Sequence, residues 1–304
     1  MARRKVLVLR SRRSEPLEGR TASIQPGSAL AQLVRARDRE RFQTALFAPA
    51  SRREALFALY AFNYEVAKTR EMVREPLLGR IRLQWWREAI AAIYEGGPLR
   101  RHEVIEPLAA AIRAHDLTRA HFEALIEARE ADLADAPPAS LAALAAYAED
   151  SAGRLVLLAL EVLGVRDGDA AAAGREVGIA YAMAGLLRAV PFHARQRRLY
   201  LPADLVDESR LDVARGLFEL KTSTELREVV AQVAAAARGH LAAARARRSA
   251  IAKPARPALL PAVLAERWLE RLAQVGHDPF DRRVAAPERG QILRLALTAW
   301  RGRY

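Results

Sequence analysis

Apolar side chains return every three or four residues along most of this chain, and that period constrains its fold more than any other feature. Across Arg52–Arg74, Leu56, Leu59, Tyr60, Asn63, Ala67 and Glu71 fall on one stripe at helical spacing. Gly79–Tyr94 repeats the pattern with Leu83, Trp86, Ile90 and Ile93. The same spacing predicts helices near 104–115, 118–133, 139–164, 171–190, 222–250, 258–275 and 287–301. Breaks are expected at Gly96-Gly97-Pro98, Pro137-Pro138, Gly164, Pro191, Pro202, Pro254 and Pro279. Alanine, the strongest helix former, is abundant, and no period-two run of β-branched residues appears. The reading is an all-α chain, with one domain over 29–304 and a basic, flexible tail over 1–28.

Composition narrows the chemistry. With no cysteine among 304 residues, disulfides, thiolate metal sites and cysteine nucleophiles are excluded. The longest stretch free of charge, Thr21–Val34, is half polar and contains Pro26-Gly27. A membrane-spanning helix needs about 18 or more apolar residues, so none is expected. The net charge of +13 is uneven. Residues 1–23 carry seven basic and two acidic side chains, and residues 238–256 carry six basic and none acidic. Such patches suit anionic lipid, nucleic-acid phosphates, an acidic protein, or solvent alone. No P-loop, GxGxxG, HExxH or serine nucleophile elbow is present. His102, His115 and His121 lie on charged stretches read as exposed.

Three segments, in order, carry a resemblance. They are Asp38-Arg-Glu-Arg-Phe42 with Arg53-Glu-Ala-Leu-Phe-Ala-Leu-Tyr-Ala-Phe62; Leu83-Gln-Trp-Trp-Arg-Glu88; and Gly178-Ile-Ala180 through Leu187-Arg188 with Arg198-Leu-Tyr-Leu-Pro202. Together they resemble the squalene/phytoene synthase family from about Leu30 to Leu272. The resemblance implies an isoprenoid-synthase-type helical bundle around a central cavity. In that family two acidic motifs on facing helices hold Mg²⁺ ions that bind prenyl diphosphates. Mg²⁺ demands hard oxygen ligands in octahedral geometry, and carboxylates four apart on a helix stand together on one face. The first motif falls here on Ala67-Lys-Thr-Arg-Glu71 and the second on Ala189-Val-Pro-Phe-His193. Ala67 and Ala189 cannot ligate, Glu71 is flanked by Lys68 and Arg70, and His193 suits Mg²⁺ poorly. Polar positions that the family uses on the same helix fall on Ala182 and Gly185.

The chain is similar, more closely, to the family's non-catalytic branch of complex I (NADH dehydrogenase) assembly factors. The similarity lies in Ala61-Phe-Asn-x-Glu65, Tyr147-Ala-Glu-Asp-Ser151 with the apolar run to Glu161, and Leu187-Arg-Ala-Val-Pro191. It implies no intact catalytic set, no cofactor, and a role in complex I assembly at the membrane face. The implied partner is a membrane protein or an anionic membrane surface, with an isoprenoid or lipid as a further ligand; nucleic acid is not favoured. The implied location is cytoplasmic and peripheral to the inner membrane, or the mitochondrial matrix for a eukaryotic source. The alternative is an active head-to-head prenyltransferase using Mg²⁺.

Each candidate has a plainer reading. Arg188, Arg195, Arg197 and Arg198, with Tyr200, could grip a phosphate or lipid headgroup bidentately, or could cap a solvated helix end. Tyr60, Asn63, Gly178, Ala182 and Gly185 are candidates to line the cavity. Gly178, Ala182, Gly185 and Ala189 equally form a strip of small residues suited to close helix packing. Tyr60, Tyr200 and Trp86 also read as core. Glu71 and His193 form a metal pair only if the helices bring them together.

Overall fold

The computed structural model describes residues 28–134, 136–286 and 290–304, and among them the helical period is realised throughout, with no β-strand. The predicted basic tail, apart from Ser28, lies outside the described residues. Ser28 itself belongs to the first helix: its hydroxyl accepts from the Ala31 N–H and caps α1 (Ala29–Arg37). Asp38 ends α1 and caps α2 (Arg39–Ala45). The predicted helix over 52–74 is two helices, α3 (Ala50–Ala67) and α4 (Thr69–Met72), separated by a turn at Lys68. Next come α5 (Pro76–Glu95), α6 (Ile105–His115) and α7 (Arg119–Ala131). Gly96 closes α5 at φ +72°, the left-handed conformation that glycine tolerates best.

The predicted helix over 139–164 is likewise interrupted. A π-helical turn, Glu149–Gly153, separates α8 (Leu141–Ala148) from α9 (Arg154–Val162). Then α10 (Gly168–Arg188) and α11 (Val190–Arg195) meet at Ala189. Pro191 was expected to break the chain, but it sits in the first turn of α11, where its missing N–H costs nothing. The chain ends through α12 (Ala203–Ser209), α13 (Thr224–Ala246), α14 (Arg256–Leu259), α15 (Pro261–Gln274), α16 (Arg282–Ala285) and α17 (Gln291–Trp300).

The helix α10 lies in the middle and packs against α9, α13, α15 and the π-turn. Its buried positions, from Val177 and Ile179 to Tyr181, Met183 and Leu187, surround the axis, as expected of a helix enclosed by others. Gly178 makes this possible. A Cβ there would stand 2.4 Å from the Gly153 Cα, so two glycine backbones touch where α10 crosses the π-turn. On the other side Trp86 is fully buried and meets Phe62 edge-on at 5.4 Å, and Phe62 meets Phe122 at the same distance. Trp86 and Tyr60 are therefore core residues. His102, His115 and His121 are half-buried rather than exposed; His115 lies 2.6 Å from Arg52, and the His102 ring packs 5.1 Å from that of Trp86.

Candidate functional site

A cavity of about 290 Å³ opens where α1, α3, α7, α8, α10 and α15 converge. From α3 it receives Asn63 and Ala67, and from α10 it receives Tyr181, Ala182, Gly185 and Arg188. Arg37 and Arg41 enter from α1 and α2, Arg129 from α7, Tyr147 from α8 and Trp268 from α15. Gly185 has nothing within 4 Å of the place a Cβ would occupy, so the strip of small residues splits in function: Gly178 seals a helix crossing and Gly185 borders open space. Asn63 is buried, and its Oδ1 has no hydrogen-bond partner among the described residues.

The single carboxylate on the lining is Asp38. Its two oxygens are committed, one accepting from the Arg41 backbone N–H at 3.1 Å and the other from the Arg41 guanidinium at 2.7 Å. Burial works against the charge on Arg41, but Asp38 and the facing Tyr181 phenol outweigh it and hold the guanidinium above its ordinary range. That guanidinium lies over the Tyr181 ring at 4.9 Å. Arg188 lies 3.9 Å over the Trp268 ring and pairs with Glu40 at 3.0 Å. Burial also pushes the Tyr181 phenol up, so it is a neutral hydrogen-bonding group at neutral pH.

A second polar cluster backs the wall at Asp132, a buried residue that the sequence reading did not single out. The Asp132 carboxylate accepts from the Tyr147 hydroxyl at 2.8 Å, the Tyr200 hydroxyl at 3.0 Å and the Arg129 guanidinium at 3.2 Å. Arg129 also donates to the Tyr147 hydroxyl at 2.9 Å. Arg198 donates to the Asp132 backbone carbonyl at 2.5 Å. The sequence reading names Arg198 and Tyr200 as phosphate or lipid candidates and not as partners of Asp132; Arg129 stands three residues before Asp132 at a helix end. Burial raises the pKa of both tyrosines, so they donate to Asp132 rather than share its charge.

Several expected site residues are not brought together. Glu71 is exposed on α4, because the turn at Lys68 rotates it off the α3 stripe. His193 faces a separate small apolar pocket lined by Leu144, Leu187 and Val233, with its ring 4.5 Å from that of Tyr200. Glu71 is not on that pocket's lining. Ala189 lies at the junction of α10 and α11 and is not on the cavity lining. Of the four arginines singled out in the sequence only Arg188 reaches the cavity; Arg198 and Tyr200 serve Asp132, while Arg195 and Arg197 are exposed. Tyr60 and Gly178 are packed in the core and not on the lining.

This donor set does not fit magnesium. The cavity offers four guanidinium groups, a methyl group at Ala67 and one carboxylate already bound to Arg41, whereas Mg²⁺ needs several free oxygen donors. Among the described residues no three of His, Asp and Glu are grouped as metal ligands.

Comparison with known proteins agrees with the architecture. The family model of squalene/phytoene synthase matches residues 34–291. Complex I assembly factor 6 of Bos taurus is 35% identical over 97% of this chain and 91% of its own length. The Homo sapiens protein of that name is 32% identical over 90% and 81%. A presqualene diphosphate synthase of Rhodopseudomonas palustris is 31% identical, over 52% of this chain and 56% of its own. Among solved structures, a dehydrosqualene synthase superposes with a TM-score of 0.78 at 17% identity, covering 90% of this chain and 94% of that one. A squalene synthase from Alicyclobacillus acidocaldarius gives 0.72 at 19% identity, covering 82% and 94%.

Proposed function

The chain belongs to the squalene/phytoene synthase family, and on that premise we propose that it acts in the assembly of respiratory complex I without catalysing prenyl transfer. One observation carries the non-catalytic half: arginines and a methyl group stand where the cavity would need carboxylates. Prenyl diphosphate ionisation depends on divalent metal to neutralise the departing pyrophosphate, and guanidinium groups around the cavity repel that metal. The assembly half draws its support from the assembly-factor relatives, which match nearly the whole chain, whereas the presqualene diphosphate synthases match about half. A cavity that can no longer drive the reaction still offers a preformed apolar and cationic recess, so its shape is free to serve recognition.

The proposed partner is a membrane-embedded component of complex I, met at the inner face of the membrane. No helix among the described residues is long and apolar enough to cross a bilayer. Deleting the gene tests the assembly role: assembled complex I on native gels and NADH–quinone oxidoreductase activity in membranes are expected to fall, and the wild-type gene to restore them. Normal complex I content in the deletion strain would remove the assignment. Incubating purified protein with farnesyl or geranylgeranyl diphosphate and Mg²⁺ tests the other half; formation of a condensed C30 or C40 product would overturn it.

A further inference from the structure

The last helix presents an apolar face to the outside. On α17, Leu293 is 72% exposed, Trp300 83%, Leu297 44% and Ile292 39%. At 100° per residue these four and Ala296 span a continuous arc of about 140°. The opposite side seats the helix in the fold. Leu295 is fully buried, and Gln291 donates to Gln43 at 2.8 Å. Beyond the helix Tyr304 is buried, its hydroxyl donating to the Ala244 carbonyl at 3.1 Å. Arg248 donates to the Tyr304 carbonyl oxygen at 2.9 Å. The helix is therefore anchored at both ends with its apolar face turned outward.

The surroundings are basic. Arg248, Arg294, Arg301 and Arg303 line the cleft beside α17. The two acidic side chains there are already engaged, Glu266 with Arg245 at 2.5 Å and Glu270 with Arg267 at 3.1 Å. The basic stretch at 238–256 noted in the sequence thus meets the chain end on one face.

We propose that α17 is an interfacial anchor that seats the protein on an anionic lipid surface. Leucines and an exposed tryptophan on one arc, rimmed by arginines, are what a helix lying in the headgroup layer requires. Tryptophan suits that layer because its ring is apolar and its N–H polar. Arginines at the rim reach phosphates while their stems stay on apolar surface. The N-terminal residues 1–27 are a poor occupant for this face, since they carry +5 themselves. The anchor deepens the membrane-face placement proposed above, but its test contains no complex I. A negative vesicle result leaves the assembly role standing, and normal complex I content leaves the anchor standing.

The test is co-sedimentation of the full chain with vesicles of phosphatidylcholine, with and without one third phosphatidylglycerol. Binding is expected only with the anionic vesicles. L293D/L297D should weaken it at least about tenfold, since two leucines that would enter the lipid are replaced by charges. R301E/R303E should weaken it by about fivefold or more per site. Both pairs lie on the surface, and unchanged circular-dichroism melts would show that the fold survives. As a second readout, phosphatidylglycerol with brominated acyl chains should quench tryptophan fluorescence in the wild type, and W300F should lose that quenching. Absent vesicle binding, equal binding to neutral vesicles, or full binding by L293D/L297D would each overturn the proposal. So would retention of a membrane protein in detergent by the wild type and not by L293D/L297D, without vesicle binding, because α17 would then hold a protein.

Discussion

His193 occupies the last position of the second acidic motif, and its environment makes a measurable claim. Burial, together with Arg198 and only partly offset by Asp132, pushes its imidazole down from 6.5 to about 4. The Nδ1 atom is buried without a partner among the described residues, so a proton added there would be stranded. The sign follows directly. Between the two values the unfolded chain binds the proton and the folded chain does not, so stability is intact above about pH 6.5 and falls as pH drops toward 4. A fall of about 2.5 pH units, at about 1.36 kcal/mol each, is worth about 3 kcal/mol. By pH 4.5 about 2.5 kcal/mol of it is already lost. His193→Leu keeps the volume and removes the titration. Urea unfolding at pH 7 and pH 4.5 should show the wild type losing about 2.5 kcal/mol more than the variant. Taking this difference cancels His115, His121 and His277, whose pKa values burial also lowers. Equal losses in the two proteins, or an NMR titration of His193 near 6.5, would refute the reasoning. A cationic His193 would mean that this end of α11 is wet rather than packed against Tyr200.

The two glycines on α10, Gly178 in the core and Gly185 on the cavity, should respond in opposite directions. Gly178→Ala forces a methyl group onto the Gly153 backbone and should cost about 1–3 kcal/mol in chemical denaturation. Gly185→Ala meets open space and should gain about 0.5–1 kcal/mol from helix propensity; destabilisation by both would mean the cavity is closed. Removing the acid behind the wall with Asp132→Ala leaves Arg129 buried without its counter-charge and should cost about 3–5 kcal/mol, whereas a cost under 1 kcal/mol in urea melts would show the cluster to be solvated. Finally, magnesium chloride plus pyrophosphate should raise Tm no more than pyrophosphate with sodium chloride of equal ionic strength. A bound metal complex at about 100 times its dissociation constant would add about 2.7 kcal/mol, and such a magnesium-specific shift would overturn the reading of the cavity.

The functional consequence of the cavity is best seen from the charges facing it. In a metal-dependent prenyl synthase the walls are acidic and the ligand brings the phosphate. Here the walls carry guanidinium groups fixed by stacking on Tyr181 and Trp268. Each is already matched to a carboxylate, Arg41 to Asp38 and Arg188 to Glu40. The Arg41–Asp38 pair is the more buried of the two, and in both the guanidinium charge is matched within the protein.

The local spacing of apolar residues was enough to decide the all-helical class and the place of most long helices, though not their interruptions. Period, glycine and proline are local properties, and a helix is a local hydrogen-bonding pattern, so α5, α7 and α13 stand close to where the pattern put them. The absence of a carboxylate at position 67 was equally legible, because alanine has no side-chain oxygen in any fold. What lay beyond the sequence was direction and partnership. The turn at Lys68 that sends Glu71 to the surface depends on α4 packing against α5. The π-turn at Glu149–Gly153 depends on α10 pressing Gly178 into it. Asp132 gathers Tyr147, Tyr200 and Arg198 from positions up to 68 residues away. The outward face of α17 was undecided for the same reason: an amphipathic pattern says that one side is apolar, and only the packing of Leu295 and Tyr304 decides which side the fold keeps and which it leaves to a partner.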